Sequence, residues 1–140
     1  MKNRANFSCI LLLIVVLTAG CGIKREMPDE VELIKNVIDK FQMAVNLRER
    51  SMLDSLYWKD EHSQEYLIPK LLQDLSDLGD PQNIRFTARR FEVFKDSAAV
   101  LCTLLAEDVK LPEKATVKKP FEINLWKKKK RWSIIGHKIR

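Results

Sequence analysis

The sequence predicts an α+β domain in which helices precede an antiparallel sheet. Two observations predict this class. Apolar residues recur at helical spacing from about residue 31 to residue 78, whereas after the segment "GDPQN" they recur at every second position. The order of elements is therefore α-α-α-β-β-β-β, which is typical of α+β proteins. With 140 residues and few Gly and Pro, the chain fits one domain, at residues 29–140, behind a short removable segment.

The first twenty residues have the three parts of a bacterial export signal. Lys2 and Arg4 give a positive start, an apolar stretch runs from residue 10 to residue 17, and small residues follow. The apolar stretch is much shorter than the ~20 residues that a transmembrane helix needs. We therefore expect a signal peptide at residues 1–20, followed by a polar tether at residues 21–28.

The segment "LTAGC", at residues 17–21, resembles the lipobox of bacterial lipoproteins, in which a small residue precedes an acylated Cys. The resemblance implies cleavage between Gly20 and Cys21, with acyl chains such as palmitate on Cys21. An ordinary cleaved signal peptide, with Cys21 as a free thiol, is the alternative. Because Cys9 lies in the signal, Cys102 would have no partner for an internal disulfide, and we expect it to be a small buried side chain.

Lipidation predicts a location in the cell envelope, anchored outside the cytoplasm. This is the outer membrane if the source has two membranes, and otherwise the outer face of the cell membrane. Two or more acyl chains hold a protein much more firmly than one. The predicted partners are the membrane, through lipidated Cys21, and an unknown envelope protein or small ligand. A homodimer is left open.

Three helices are predicted in the mature chain. The first covers residues 31–47, with Asp29 as its N-terminal cap and apolar positions at three- and four-residue spacing. Ser51 is predicted to cap a short second helix. A third helix is expected within residues 64–78, with Gly79 as its C-terminal stop.

Four strands are predicted after the helices. The first changes the parity of its apolar positions at residues 89–90, which predicts a β-bulge or a sharp bend. The second, at residues 98–106, is apolar on both faces and is expected to be central. The last two form a hairpin in which residues 127–130 would make a four-residue loop, with Leu125 opposite Trp132. A two-residue type I′ loop is disfavoured because it needs lysines at positive φ.

The long first helix, the short second helix ending in "LDSLYW" and the closing hairpin "PFEINLWKKKKRWSIIGHKI" together resemble the nuclear transport factor 2-like superfamily. The resemblance covers residues 29–139 and is greatest to its small bacterial lipoproteins of unknown function. It implies a cystatin-like cone, in which three helices pack on a strongly curved four-stranded antiparallel sheet. It also implies a pocket between the helices and the concave face of the sheet.

By this resemblance, five residues are expected to line the pocket: Phe41, Tyr57, Trp58, Tyr66 and Glu92. Some members of the superfamily are isomerases or dehydratases that place Asp, Tyr or His in the pocket. On that analogy Asp54 and His137 join Tyr57, Tyr66 and Glu92 as acid–base candidates. The alternative is that the aromatic side chains close the core and the carboxylates are solvated. No residue is assigned as catalytic.

The residues Lys127, Lys128, Lys129, Lys130 and Arg131 form a basic run between two tryptophans. Such a run is a reason to consider nucleic acid. A lipid-anchored exported domain does not ordinarily meet nucleic acid, so none is predicted as a partner. Contact with anionic lipid headgroups is one interpretation. The other is a solvated hairpin tip whose lysines discourage edge-to-edge aggregation.

The net charge of +6 is unevenly distributed along the chain. Residues 21–80 carry eight basic and thirteen acidic residues, whereas residues 81–140 carry fifteen and six. This asymmetry predicts an acidic face and a basic face on one domain.

No metal, cofactor or phosphate site is predicted. The two histidines lie far apart, no cluster has metal-ligand spacing, and there is neither a G-x-S-x-G motif nor a Gly-rich loop. The predicted function is a membrane-anchored cell-envelope lipoprotein whose non-catalytic cone domain binds a small ligand or a protein. The first alternative is an isomerase- or dehydratase-like envelope enzyme that uses an acid or Tyr in the pocket. The second is a structural or assembly lipoprotein with a filled pocket.

Overall fold

The computed structural model describes residues 29–79, 81–107 and 116–140. The predicted signal peptide and tether, including Gly20 and Cys21, lie outside these residues. Residues 29–33 are helical, and Ile34–Arg140 form a compact unit. In the described ranges, three helices precede a four-stranded antiparallel sheet, so the predicted α+β class is confirmed.

The helices follow the predicted apolar spacing. Helix α1 covers residues 29–47, α2 covers Arg50–Leu56, and α3 covers Ile68–Asp77, directly after a π-helical turn at Ser63–Leu67. Gly79 ends α3 as predicted, with φ of +92°. The apolar face of α1 is fully buried at Ile34, Ile38, Phe41, Ala44 and Val45.

The helix starts differ from the predicted ones. Asp29 is itself helical, so it is not an N-terminal cap. Glu49, not Ser51, occupies the N-cap position of α2, and the Ser51 hydroxyl donates to the Glu49 carboxylate (3.0 Å). The third helical segment begins at residue 61, earlier than predicted. There the Asp60 carboxylate accepts a hydrogen bond from the Ser63 N–H (2.8 Å), which is the geometry of an N-terminal cap.

The sheet is a meander of order β1-β2-β3-β4, with strands at Asn83–Val93, Ser97–Glu107, Thr116–Lys128 and Arg131–Ile139. Strand β2 is central as predicted, but only its even-numbered residues from 98 to 106 are buried. The predicted bulge in β1 is confirmed. The pairing register shifts between Thr87 and Arg90, and Ala88 takes φ of +50°.

The β3–β4 turn is tighter than predicted. Lys128 pairs with Arg131, so the loop consists of Lys129 and Lys130 alone, with φ of +48° and +63°. The predicted four-residue loop is therefore wrong. The twist of a type I′ turn matches the twist of the two strands, and this outweighs the resistance of lysine to positive φ.

The tight turn moves every cross-strand pair of the hairpin. Leu125 lies opposite Ile134 rather than Trp132, and a further shift after Asn124 places Ile123 opposite His137. Near the turn the side-chain faces are as expected, because loops of two and four residues give the same parity. Beyond the shift the parity is reversed, so odd-numbered residues of β4 such as His137 lie opposite odd-numbered residues of β3, and the expectation is wrong there. Trp132 is 4% exposed and lies in the core.

Replacing the two turn lysines by Asn-Gly is expected to stabilise the domain by about 1 kcal/mol. Residues other than Gly and Asn lose roughly 1–2 kcal/mol in the left-handed region, and Asn-Gly is the preferred type I′ pair. Urea unfolding of the Lys129→Asn/Lys130→Gly variant measures the gain. The matched change within strand β3, Lys118→Asn/Lys119→Gly, is expected to destabilise. A lower midpoint for the turn variant would contradict the two-residue turn.

A stack of aromatic rings fills the interior between the helices and the sheet. Phe41, Phe86 and Phe121 are at most 3% exposed. Their ring centroids lie 5.3 Å apart for Phe41 and Phe86, 5.0 Å for Phe86 and Phe121, and 6.3 Å for Phe41 and Phe121. Tyr57 tilts against Phe41 at 6.3 Å. Cys102 is buried in the same core as expected, and burial raises the pKa of its thiol to about 11.

Candidate functional site

The β1–β2 turn and the β3–β4 turn lie at the same end of the compact unit. The N–H of Lys127 donates to the carbonyl of Asp96 (2.8 Å), which joins the β3–β4 hairpin to the β1–β2 turn. The segment after α2 reaches the same region, because the N–H of Trp58 donates to the carbonyl of Ile134 (2.8 Å). We call residues 58–60, 94–97 and 126–133 the hairpin end.

A groove with an aromatic and basic lining lies at the hairpin end. Trp58 stacks on Trp126 with centroids 5.4 Å apart and planes at 19°. The Nζ atom of Lys128 lies 5.3 Å from the centre of the Trp58 ring, within cation–π distance. The groove, which we call the tryptophan groove, has a volume of about 410 Å³. Its lining is formed by Tyr57, Trp58, Lys59, Lys128, Lys129, Arg131 and Ser133.

Electrostatics in the tryptophan groove favour an anion. All four charged residues of the lining are basic, and they come from two separate segments of the chain. Arg131 is oriented by a hydrogen bond that it donates to the carbonyl of Ser55 (2.5 Å). Cations gathered in a concave surface attract anionic ligands more than the same charges spread over a flat one.

A polar pair that joins buried Tyr57 to half-buried His137 lies deeper in the unit. The hydroxyl of Tyr57 and Nδ1 of His137 are 2.9 Å apart and form a hydrogen bond. Phe121 stacks on the imidazole at 6.1 Å with planes at 9°. Burial raises the pKa of Tyr57 above its ordinary range and lowers the pKa of His137 to about 4. The imidazole is therefore neutral at neutral pH.

The other imidazole nitrogen of His137 is unsatisfied. Nε2 is buried and has no hydrogen-bond partner among the described residues. His137 also borders a second groove, of about 450 Å³, between α3 and the ends of β3 and β4. Lys70 and Asp74 line this groove and form an ion pair with each other (2.9 Å). A ligand with a polar atom beside Nε2 could complete the hydrogen bonding of the ring.

The five residues predicted to line a pocket do not share one site: Phe41 lies in the core, Tyr57 lies in the core and also borders the tryptophan groove beside Trp58, Tyr66 lies on the π-helical turn and Glu92 on β1. Tyr66 is 54% exposed and stacks on His62 at 5.2 Å. The carboxylate of Glu92 pairs with Arg90 (3.0 Å). Of these five residues, only Phe41 and Tyr57 are in ring contact inside the core.

Of the acid–base candidates, the structure joins only Tyr57 and His137. Asp54 is half-buried on α2, and its Oδ1 atom is buried without a hydrogen-bond partner in the part of the chain that the structure describes. Sequence reasoning named Tyr57 and His137 separately but missed their contact, since they are eighty positions apart. It also missed Lys59 as a member of the basic cluster. The stack of Trp58 on Trp126 is what brings Lys59 and the hairpin lysines together.

In the described ranges, no group of three or more His, Cys, Asp or Glu side chains is placed to hold a metal ion. Over the same residues, no helix has the length and apolar character required to span a membrane.

No protein-family model matches the sequence, and no curated protein matches it either. Solved structures do match. A protein of unknown function from Mycobacterium tuberculosis has a TM-score of 0.63 at 13% identity, over 82% of this chain and 73% of its own. A nuclear transport factor 2-like protein of unknown function from Shewanella oneidensis has a TM-score of 0.57 at 15% identity, over 77% of this chain and 96% of its own.

A third match is a proposed dehydratase of the nuclear transport factor 2-like family from Streptomyces avermitilis. It has a TM-score of 0.55 at 15% identity, over 79% of this chain and 94% of its own. At these identities the likeness concerns the fold alone. The chain therefore has the nuclear transport factor 2-like fold, as the resemblance of its sequence implied.

Proposed function

We propose that the chain is a membrane-anchored cell-envelope lipoprotein whose domain is non-catalytic and acts through its surface. The observation that carries this proposal is the filled interior. Phe41, Phe86 and Phe121 occupy the space in which a small ligand would otherwise bind. A domain with a packed interior and an open, charged surface groove suits binding to a surface or a protein partner, as in a structural or assembly role.

The membrane anchor of this proposal rests on the sequence "LTAGC" and on the signal that precedes it. The partners that we propose are the membrane, through Cys21, and an envelope protein or small ligand at one of the two surface grooves. The location is the outer membrane where the source has two membranes, and the outer face of the cell membrane otherwise. A homodimer remains compatible with this role.

Acylation of Cys21 is the first expected result. Cells grown with a labelled fatty acid should label the wild-type protein, and Cys21→Ala should abolish the label because no thiol remains at the lipobox. Cys9→Ala, in the same signal segment, is the matched control and should keep the label, as should Cys102→Ala. The intact mass of the purified protein should equal that of a chain that begins at Cys21 and carries acyl chains. A wild-type mass without acyl chains would refute the anchor.

A second candidate function is an enzyme of the isomerase or dehydratase type. The Tyr57–His137 pair, with its unsatisfied Nε2 beside a groove, favours this candidate. General acid–base catalysis works best with a pKa near the working pH. The pKa of Tyr57 is raised and that of His137 is lowered to about 4, so both move away from neutrality. The non-catalytic interpretation is therefore preferred.

A further inference from the structure

We infer that the hairpin end docks on an anionic phospholipid surface, with a headgroup phosphate in the tryptophan groove. This inference deepens the proposed function, since it names the ligand class of the surface through which the domain acts. It rests on four independent features of the described residues: charge, exposed aromatic surface, chain direction and backbone strain.

Charge is the first feature. Lys59, Lys128, Lys129 and Arg131 all line the tryptophan groove. No carboxylate of the described residues forms an ion pair with any of them. Within the described part of the chain, no acidic side chain neutralises these four charges. Lysines act on phosphate as point charges, and Arg131 can present paired donors.

Exposed aromatic surface is the second feature. Phe94 is 67% exposed in the β1–β2 turn, and Trp126 is 50% exposed on the neighbouring hairpin. Both belong to the hairpin end. Large apolar side chains beside a cluster of cations are typical of surfaces that lie in the headgroup region, where indole rings are favoured. A site for a small soluble anion would need the cations but not these rings.

Chain direction is the third feature. Helix α1 runs antiparallel to β1, because Asn46 accepts from the N–H of Ile84 (2.7 Å) while Asp39 pairs with Arg89 (2.6 Å). The N-terminal end of α1 at Ile34 therefore points toward the hairpin end. Ile34, the first residue of the compact unit, thus lies toward the end of that unit that carries the cations.

Backbone strain is the fourth feature. Lys129 and Lys130 both take positive φ in a turn that favours Asn and Gly. Lysine at these positions lowers the stability of the fold. Strained residues of this kind are found where binding, rather than the fold, determines the residue.

The test uses a chain that begins at Gly22 and so has no anchor. It retains every described residue and the whole core of Ile34–Arg140. Tryptophan emission and co-sedimentation are measured with vesicles of equimolar phosphatidylglycerol and phosphatidylcholine, and with vesicles of phosphatidylcholine alone. We expect binding to the anionic vesicles with a blue shift of the emission, and little binding to the neutral ones.

Two triple variants with the same change of charge locate the binding surface. Lys59→Gln/Lys128→Gln/Lys129→Gln removes three cations of the groove and should weaken binding roughly a hundredfold, at about fivefold for each cation. The control variant is Lys118→Gln/Lys119→Gln/Lys138→Gln, which changes lysines away from the hairpin end. It should bind within about threefold of the parent, since its charges lie beyond the screening length of the docked surface.

Three outcomes would overturn the inference. If the two triple variants weakened vesicle binding equally, the vesicles would be attracted to the net charge of the protein instead of to the hairpin end. Absence of binding to anionic vesicles would exclude the docking surface. Saturable binding of inorganic phosphate without vesicle binding would assign the groove to a free anion. None of these measurements depends on the acylation of Cys21. Failure of the docking inference is therefore distinguishable from failure of the lipoprotein proposal.

Discussion

Phe41→Ala is expected to lower the free energy of unfolding by about 4 kcal/mol. Phe41 is fully buried on α1 and stacks against Phe86 on β1 at 5.3 Å. Its removal leaves a cavity lined by rings from two strands and by Tyr57, which cannot close without distorting the sheet. Both the lost burial of the ring and the remaining cavity lower stability.

Urea unfolding followed by far-ultraviolet circular dichroism measures this loss. Met43→Ala is the matched control, because Met43 lies on the same helix and is 55% exposed. It should change stability by no more than about 0.5 kcal/mol. If Phe41→Ala cost as little as Met43→Ala, the interior would not be packed around Phe41. The proposal that the domain acts through its surface would then lose its main support.

The helices and the first strand show how much of this fold the sequence can predict. The spacing of Ile34, Ile38 and Phe41 predicts the buried face of α1, because a helix brings every third or fourth residue to one side. The change of parity near Arg89 predicts a bulge or sharp bend in β1, since strict alternation along a strand would not place Phe86 and Phe91 on the same face. Both predictions rest on local rules, that is, on the spacing of residues within a single helix or strand.

The hairpin shows where local rules are insufficient. The preference of lysine for negative φ predicts a longer loop, but the strands on either side gain more from a tight turn than the lysines lose. This balance depends on all the pairs between β3 and β4 together, including the contact of Leu125 with Ile134. A sequence read one segment at a time does not reveal it.

Whether the predicted residues form a site depends on the volumes of the side chains around them and on contacts between residues that are far apart in the sequence. The helical pattern places Phe41 inward, but whether it lines a pocket or fills a core depends on the size of Phe86 and Phe121 across from it. Tyr57 and His137 meet only because the segment after α2 runs beside β4, with Tyr57 bridged to Ile134. The tryptophan groove likewise requires Trp58 to reach the hairpin. None of these contacts has a signal in sequence spacing.

Lowering the pH from 7 to 4 is expected to remove roughly 3 kcal/mol of stability through His137 alone. The pKa of His137 falls from the ordinary value of 6.5 to about 4 in the folded protein, mainly because the ring is buried. The nearby Asp74 carboxylate raises this pKa and Lys70 lowers it, but both effects are smaller than that of burial. Tyr57, the hydrogen-bond partner of the ring, does not titrate in this range because its own pKa is raised.

The direction of this change in stability follows from the protonation state of His137 in the folded and in the unfolded chain. Above pH 6.5 the imidazole is neutral whether the chain is folded or unfolded, and the full stability is present. Between pH 6.5 and about 4 the unfolded chain binds a proton that the folded chain does not. Stability therefore falls by about 1.4 kcal/mol for each pH unit in this window. Below it, the folded protein is protonated as well and His137 contributes no further loss.

Unfolding free energies of the wild type and of His137→Gln, measured between pH 7 and pH 4, isolate this contribution. Carboxylates titrate in both proteins, so the difference between their pH slopes belongs to His137. Gln retains a polar side chain that can form a hydrogen bond with the Tyr57 hydroxyl. Equal slopes for the wild type and His137→Gln would mean that the imidazole is solvated. The unsatisfied Nε2 that favours the enzyme interpretation would then be satisfied by water, and that interpretation would lose its supporting observation.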